Sequence, residues 1–198
     1  MAVVSGGTTL IDNGALDAGV STGSLILLST QTASASASLE FSLDDSYDSY
    51  IFKLINIHPQ NDSADLTINF STDGGSNYNV TKTTTLFRAI HDEADTITSL
   101  GYIAVDDLAQ STGELIVLDR VKNDNDMSGN GTFQLYNPSS NTFVKHFISR
   151  TASQSGGTYQ ADLFIAGYGN TTSPINSVRF KFHNGNIDDG IIKMYGVS

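Results

Sequence analysis

The amino-acid sequence predicts an all-β protein: an antiparallel β-sandwich, jelly-roll-like, with an extended N-terminal arm. Apolar and polar residues alternate with a period of two in most runs after residue 24, as in strands with one buried face. Turn residues interrupt these runs about every 8–12 residues and give about ten strands, as in sandwiches and jelly rolls. There is no repeat of about 20–50 residues and no sustained heptad, which disfavours a propeller, a solenoid or a coiled coil.

Residues 1–24 are predicted to form the arm, and residues 25–198 a single sandwich domain. The first segment is rich in Gly, Ser and Thr and has no clear periodicity, so it is either mobile or docked on a partner. A length of 198 residues suits one large sandwich better than two small domains. A chain of this length can bury a continuous core without a disulfide or a metal.

Four runs in the first half of the domain are predicted as strands: 24–32, 37–43, 50–57 and 65–71. The second run shows the pattern plainly, because Leu39, Phe41 and Leu43 share one face. Glu40 and Ser42 occupy the opposite face, where solvent is expected. These runs are therefore interpreted as strands that bury one side against a core.

An Asp-Gly turn follows the fourth run. Asp73 and Gly74 favour the backbone angles of a tight hairpin, which is predicted to join 66–71 to 78–84. The segment 87–95 is either a short helix or a continued strand. Further strands are predicted at 114–121, 132–136, 142–150, 158–168, 178–183 and 191–197.

Acidic residues outnumber basic ones by 21 to 10, which gives a net charge of −11. Nucleic-acid phosphates and anionic membrane surfaces repel such a chain, so neither nucleic acid nor a membrane is a predicted partner. Without cysteine, disulfides, zinc knuckles and a thiol nucleophile are excluded. The first ten residues have neither a basic residue nor an apolar core, so no signal peptide is expected.

One segment has the pattern of the first half of a calcium-binding loop. Asp124, Asp126 and Ser128 place oxygen-bearing side chains at relative positions one, three and five. Gly129 follows at position six, where it is expected to permit a sharp turn. Leu135 occupies position twelve, where such loops need a bidentate glutamate. The sequence therefore predicts either a calcium site at Asp124, Asp126 and Ser128 or a polar turn without a metal, and no other cofactor.

No pattern of residues indicates a catalytic site, and the protein is not expected to be an enzyme. Adjacent acidic residues on a strand point to opposite faces, so the sequential acidic pairs are not glycosidase dyads. Neither a Gly-x-Ser-x-Gly elbow nor a phosphate-binding glycine loop occurs. His91 and the acidic residues up to Asp95 are interpreted either as a metal site or as a polar turn. The eight tyrosines are candidate platforms for carbohydrate or ordinary sheet residues.

Segments along nearly the whole chain resemble a group of small bacteriophage proteins that are abundant in marine viral sequences. The segments are 9–20 (TLIDNGALDAGV), 55–59, 71–76, 123–126, 137–146 (NPSSNTFVKH), 166–172, 179–182 and 185–196. The family is known as phage virion structural or tail-fibre proteins and has no defined catalytic motif. The resemblance implies a virion component that is assembled in the host cytoplasm and released by lysis.

Three functions are weighed on this basis. The first is a surface-exposed fibre or receptor-binding subunit: a homo-oligomer, with a trimer favoured, that contacts other virion proteins through its arm. Its candidate ligand is host-surface carbohydrate. The alternative is a capsid decoration protein, whose arm and sheet edge would clamp neighbouring capsid subunits. A carbohydrate-active enzyme is disfavoured, because capsule depolymerases are typically longer and often β-helical.

Overall fold

The computed structural model describes residues 3–5, 8–12, 15–16, 25–156 and 158–198. Within them, no helix of the length and apolar character needed to cross a membrane is found. The described residues form fifteen strands. The strands are β1 Val3–Ser5, β2 Thr8–Asp12, β3 Ala15–Leu16, β4 Ile26–Thr32, β5 Leu39–Ser42, β6 Ser49–Pro59, β7 Ala64–Ser71, β8 Lys82–Asp92, β9 Thr98–Tyr102, β10 Leu115–Val121, β11 Gly129–Tyr136, β12 Lys145–Ser155, β13 Tyr159–Gly169, β14 Ser177–Phe182 and β15 Ile187–Val197.

Strands β4 to β15 form one twelve-stranded antiparallel sheet with two branches. The larger branch runs β4-β15-β6-β11-β12-β13-β8-β9, and the smaller runs β10-β7-β14-β5. They meet where Val121 of β10 pairs with Ser155 of β12. The predicted all-β antiparallel sandwich is confirmed, and the junction of the branches makes it nearly barrel-shaped.

Buried phenylalanines join the two branches. Phe41 of β5 meets Phe52 of β6 with ring centroids 5.4 Å apart. Phe70 of β7 packs on Phe133 of β11 and Phe147 of β12, at 5.9 and 5.5 Å. All five rings are at most 1% exposed. Burying each contributes about 1.5–3 kcal/mol, so this cluster holds the branches together.

The structure decides one alternative that the sequence left open and corrects one predicted strand pairing. The segment after residue 87 is a continued strand, since β8 extends to Asp92. The predicted hairpin between β7 and β8 is wrong, because β7 pairs with β10 and β14 whereas β8 pairs with β13 and β9. The turn itself forms, with φ of 72° at Gly74 and 89° at Gly75. Local turn chemistry specifies a reversal of the chain but not the partner strand, and here the chain changes branch.

The predicted arm, residues 1–24, is described only at its first three strands. They form a separate antiparallel sheet in the order β1-β2-β3. Ser5 pairs with Thr8, and Asp12 pairs with Ala15. The described strands of this segment are therefore joined to one another by antiparallel pairing.

Candidate functional site

A polar cleft lies where β6, β11 and β15 come together at one end of the larger branch. Its volume is about 470 Å³. Amide, carboxylate, hydroxyl and imidazole groups dominate the lining: Asn56, His58, Asn125, Asp126, Met127, Ser128, Asp188 and Asp189. The residues come from three separate parts of the chain, and strand pairing brings them together.

Bulges in the strands shape this cleft. The register between β15 and β6 shifts on both sides of Asp189, and the register between β11 and β6 shifts after Gly129. Asn56 takes a φ of 50°, and its N–H donates to Asn130 Oδ1 at 2.8 Å. Gly190 has a φ of 123°, and a Cβ there would lie 2.7 Å from the Asn56 carbonyl oxygen. Bulges bend strands and redirect side chains, here towards the loop at 122–128.

His58 links that loop to β15. Its Nε2 lies 3.2 Å from the carbonyl oxygen of Asp124, so Nε2 carries the hydrogen in that contact. Its Nδ1 lies 3.8 Å from Asp188 Oδ2. The Asp124 carbonyl also accepts the N–H of Met127 at 2.9 Å, which closes the turn.

The structure brings only two of the three predicted calcium ligands into the cleft. Asp126 and Ser128 line the cleft, whereas the Asp124 side chain is not among its lining groups. The predicted role of Gly129 is wrong, because it lies in β11 without a positive φ. A Cβ there would lie 2.5 Å from Leu118 Cδ1, so packing explains this glycine. Within the described ranges, no group of three or more His, Cys, Asp or Glu is arranged to hold a metal; calcium binding stays a prediction.

The acidic segment after His91 forms a turn. Asp92 is buried and accepts the N–H groups of Thr96 and Ile97 at 2.8 and 2.7 Å. These hydrogen bonds, with that of the Thr96 hydroxyl as the largest cause, hold the pKa of Asp92 below its usual value. His91 Nε2 lies 3.0 Å from Asp95 Oδ1. The polar-turn interpretation accounts for these contacts.

The sequence alone did not connect Asp188 and Asp189 with the loop at 122–128. The pair looks like ordinary turn charge in the sequence, and only the pairing of β15 with β6 carries it into the cleft. The resulting set of hydrogen-bond donors and acceptors suits a polar, hydroxyl-rich ligand. Among the hydrogen bonds of the described residues, none joins a serine or threonine hydroxyl to a histidine ring.

A second surface mixes aromatic and aliphatic side chains with polar ones, and we call it the outer face. It consists of the outward-pointing residues of three long strands: His146, Ile148, Arg150, Ala152 and Gln154 of β12, Gln160, Asp162, Phe164, Ala166 and Tyr168 of β13, and Thr83, Thr85, Phe87, Ala89 and His91 of β8. Phe87 stacks on Phe164 with ring centroids 4.8 Å apart and planes 5° apart. The Arg150 guanidinium lies over the Phe164 ring, 4.6 Å from the ring centroid.

Comparison with known proteins adds no relative: no family model, no curated protein and no solved structure matches this chain.

Proposed function

We propose that the chain is a non-enzymatic structural subunit of a bacteriophage particle, of the surface-exposed fibre or receptor-binding type. The resemblance of its segments to phage virion proteins supports the particle setting. The observation that supports a binding role is the polar cleft, with its volume of about 470 Å³ and its hydrogen-bonding walls. Ligand sites of this size with convergent polar groups are the ordinary places for recognition.

The chemistry of the cleft favours a carbohydrate of the host surface. Asp126 and Asp189 supply carboxylates that accept hydroxyl protons, and Asn56 and Asn125 supply amides that both donate and accept. Met127 adds an apolar contact suited to the C–H face of a sugar ring. Sugar hydroxyls are paired donors and acceptors, so such a mixed wall can satisfy them.

The first test is location on the particle. Antibodies against the full chain should label purified particles of the phage that encodes it, and cryo-electron microscopy should place the density at a tail or fibre tip. Density over the capsid lattice would instead make the chain a decoration protein. Particles without the protein would overturn the virion assignment altogether.

The second test is competition for the host. Purified wild-type protein should reduce phage adsorption, and the double variant D126N/D189N should compete about tenfold less well or worse, because two hydroxyl acceptors lose their charge. Asp45→Asn, an exposed acidic residue outside the cleft, is the matched control and should compete normally. Equal competition by all three proteins would show that the cleft is not the binding site for the host surface. Release of reducing ends from host polysaccharide would overturn the non-enzymatic part.

A further inference from the structure

We propose that two copies of this chain associate through the outer face, packing sheet against sheet about a two-fold axis. This inference does not rest on the proposed function, because the cleft and the outer face are different surfaces. It concerns the partner that covers the outward side of β12, β13 and β8. Four properties of that face argue for a second copy as the occupant.

The first property is the aromatic row at its centre. Cross-strand pairing aligns Arg150 with Phe164, Phe164 with Phe87, and Phe87 with Tyr102 of β9. The four side chains thus form a continuous row across four strands. Aromatic residues and arginine are the side chains that dominate binding energy at protein interfaces.

The second property is exposure beside that row. Ile148 is 54% exposed and Phe87 is 40% exposed. Ile148, Ala166 and Thr85 form the neighbouring cross-strand row. A groove of about 340 Å³ opens next to it, bounded by Tyr136 and Tyr168. Contiguous apolar surface of this kind marks interaction sites in soluble proteins.

The third property is charge. Arg150 and Asp162 are the charged strand residues of the outer face, and they pair with each other at 2.8 Å. The face is therefore neutral, although the chain carries a net charge of −11. Two identical acidic molecules repel each other through most of their surfaces, but not through a neutral one. A strongly basic partner would find little attraction here, which favours a second copy.

The fourth property is size. Strands β12, β13 and β8 pair over eleven residues each. These strands are roughly 35 Å long, and the shorter β11 and β9 at the sides bring the face to about 700 Å². That lies within the range that each partner contributes to an interface of standard size. Its ends carry Gln154, Gln160 and His91, which would form a polar rim.

A face that packs on a copy of itself closes with two subunits, because the same patch is used by both. The contact therefore favours a dimer over the homotrimer that the sequence predicts. Sedimentation of the full chain should show a species of about twice 21.1 kDa at micromolar concentration. Ile148→Glu should weaken association about tenfold or more, because like charges then meet in an apolar contact.

Leu27→Glu is the matched control. Leu27 is 51% exposed and lies on β4, at the opposite edge of the larger branch, so the same substitution there should leave the dimer intact. Mixing I148E with I148K copies should restore association, since the two faces then carry opposite charges. Circular dichroism and thermal unfolding check that each variant is folded.

Several outcomes would overturn the inference. A protein that stays monomeric at all concentrations would contradict it, and so would a trimer. A dimer that dissociates with Leu27→Glu but not with Ile148→Glu would also contradict it. Failure of the wild-type protein to reduce phage adsorption, with the dimer intact, would instead contradict only the proposed function, because that assay depends on Asp126 and Asp189 of the cleft.

Discussion

Lys82 and Lys145 are fully buried at the first positions of two long strands. Lys82 Nζ donates to Asn69 Oδ1 at 2.6 Å and to the Val80 carbonyl at 2.7 Å. Lys145 Nζ donates to three backbone carbonyls, those of Ser140, Phe143 and Thr171. Burial lowers the pKa of both ammonium groups, since the charged form loses its hydration. Each lysine pins a loop to the start of a strand at an electrostatic cost.

Because the buried Lys82 loses its proton at a lower pH than it would in the unfolded chain, the free energy of unfolding should change with pH in the alkaline range. Its pKa falls from 10.5 to about 8. Between these values the unfolded chain binds a proton that the folded chain has released, so stability rises with pH across this window. Urea denaturation should show wild type gaining about 2 kcal/mol of unfolding free energy relative to Lys82→Met between about pH 7.5 and about pH 10.

The exposed lysine Lys53 provides the comparison for this prediction. Lys53→Met removes the same charge without removing a buried group. Its stability difference from wild type should stay nearly constant over the same pH range. A constant difference for Lys82→Met as well would show that Lys82 keeps an ordinary pKa in the folded protein.

At the scale of one element, β11 shows how glycine permits close packing of strands. A Cβ at Gly131 would lie 2.6 Å from the Arg150 carbonyl oxygen, which is backbone of the neighbouring strand β12. A Cβ at Gly129 would instead meet the flexible side chain of Leu118 at 2.5 Å. Gly101 of β9 has nothing within 4 Å of such an atom. The three positions thus differ in what an added methyl group would displace.

This difference predicts a graded series of alanine variants. Gly131→Ala should destabilise by about 2–3 kcal/mol, because backbone must move. Gly129→Ala should cost about 1 kcal/mol, since Leu118 can change rotamer. Gly101→Ala should be neutral or stabilising by about 0.5 kcal/mol, because alanine loses less entropy than glycine on folding. Urea denaturation checks the order, and equal costs at all three positions would contradict it.

At the scale of the whole molecule, the polar cleft and the groove of the outer face lie at opposite ends of β11. The cleft reaches Ser128, just before the strand begins, and the apolar groove reaches Tyr136, where it ends. An eight-residue strand separates them by about 25 Å. The groove beside Tyr136 and the cleft are therefore separate sites.

The aromatic cluster between the branches should determine global stability. Phe133 is fully buried and contacts Phe52, Phe70 and Phe147. Phe133→Ala should destabilise by about 3–5 kcal/mol, because it removes apolar burial and leaves a cavity. Phe143→Ala is the control, since that ring is 67% exposed and should cost under about 1 kcal/mol. A small effect of Phe133→Ala in urea denaturation would show that the branches are held together elsewhere.

Part of the candidate site could be predicted from the sequence. Asp126 and Ser128 stand out because their spacing has the pattern of a cation loop, and both line the cleft. His58 and Asp188 have no such signal, since each looks like an isolated turn residue. They lie 3.8 Å apart through the pairing of β6 with β15, which no local pattern encodes. The predicted hairpin between β7 and β8 was wrong for the same reason, because Asp73 and Gly74 specify only a turn and not the strand that pairs with β7.

The sequence by itself determined the all-β class, because the alternation that buries Phe133 and Leu135 and exposes Tyr136 is a local property with a period of two. It also determined the acidic surface and the absence of thiol chemistry. Only the tertiary structure decided which strands pair, and hence the cleft, the aromatic row and the neutral outer face. The physical reason is that hydrogen bonding between strands joins segments far apart in the chain, whereas periodicity reports only which side of each strand is buried.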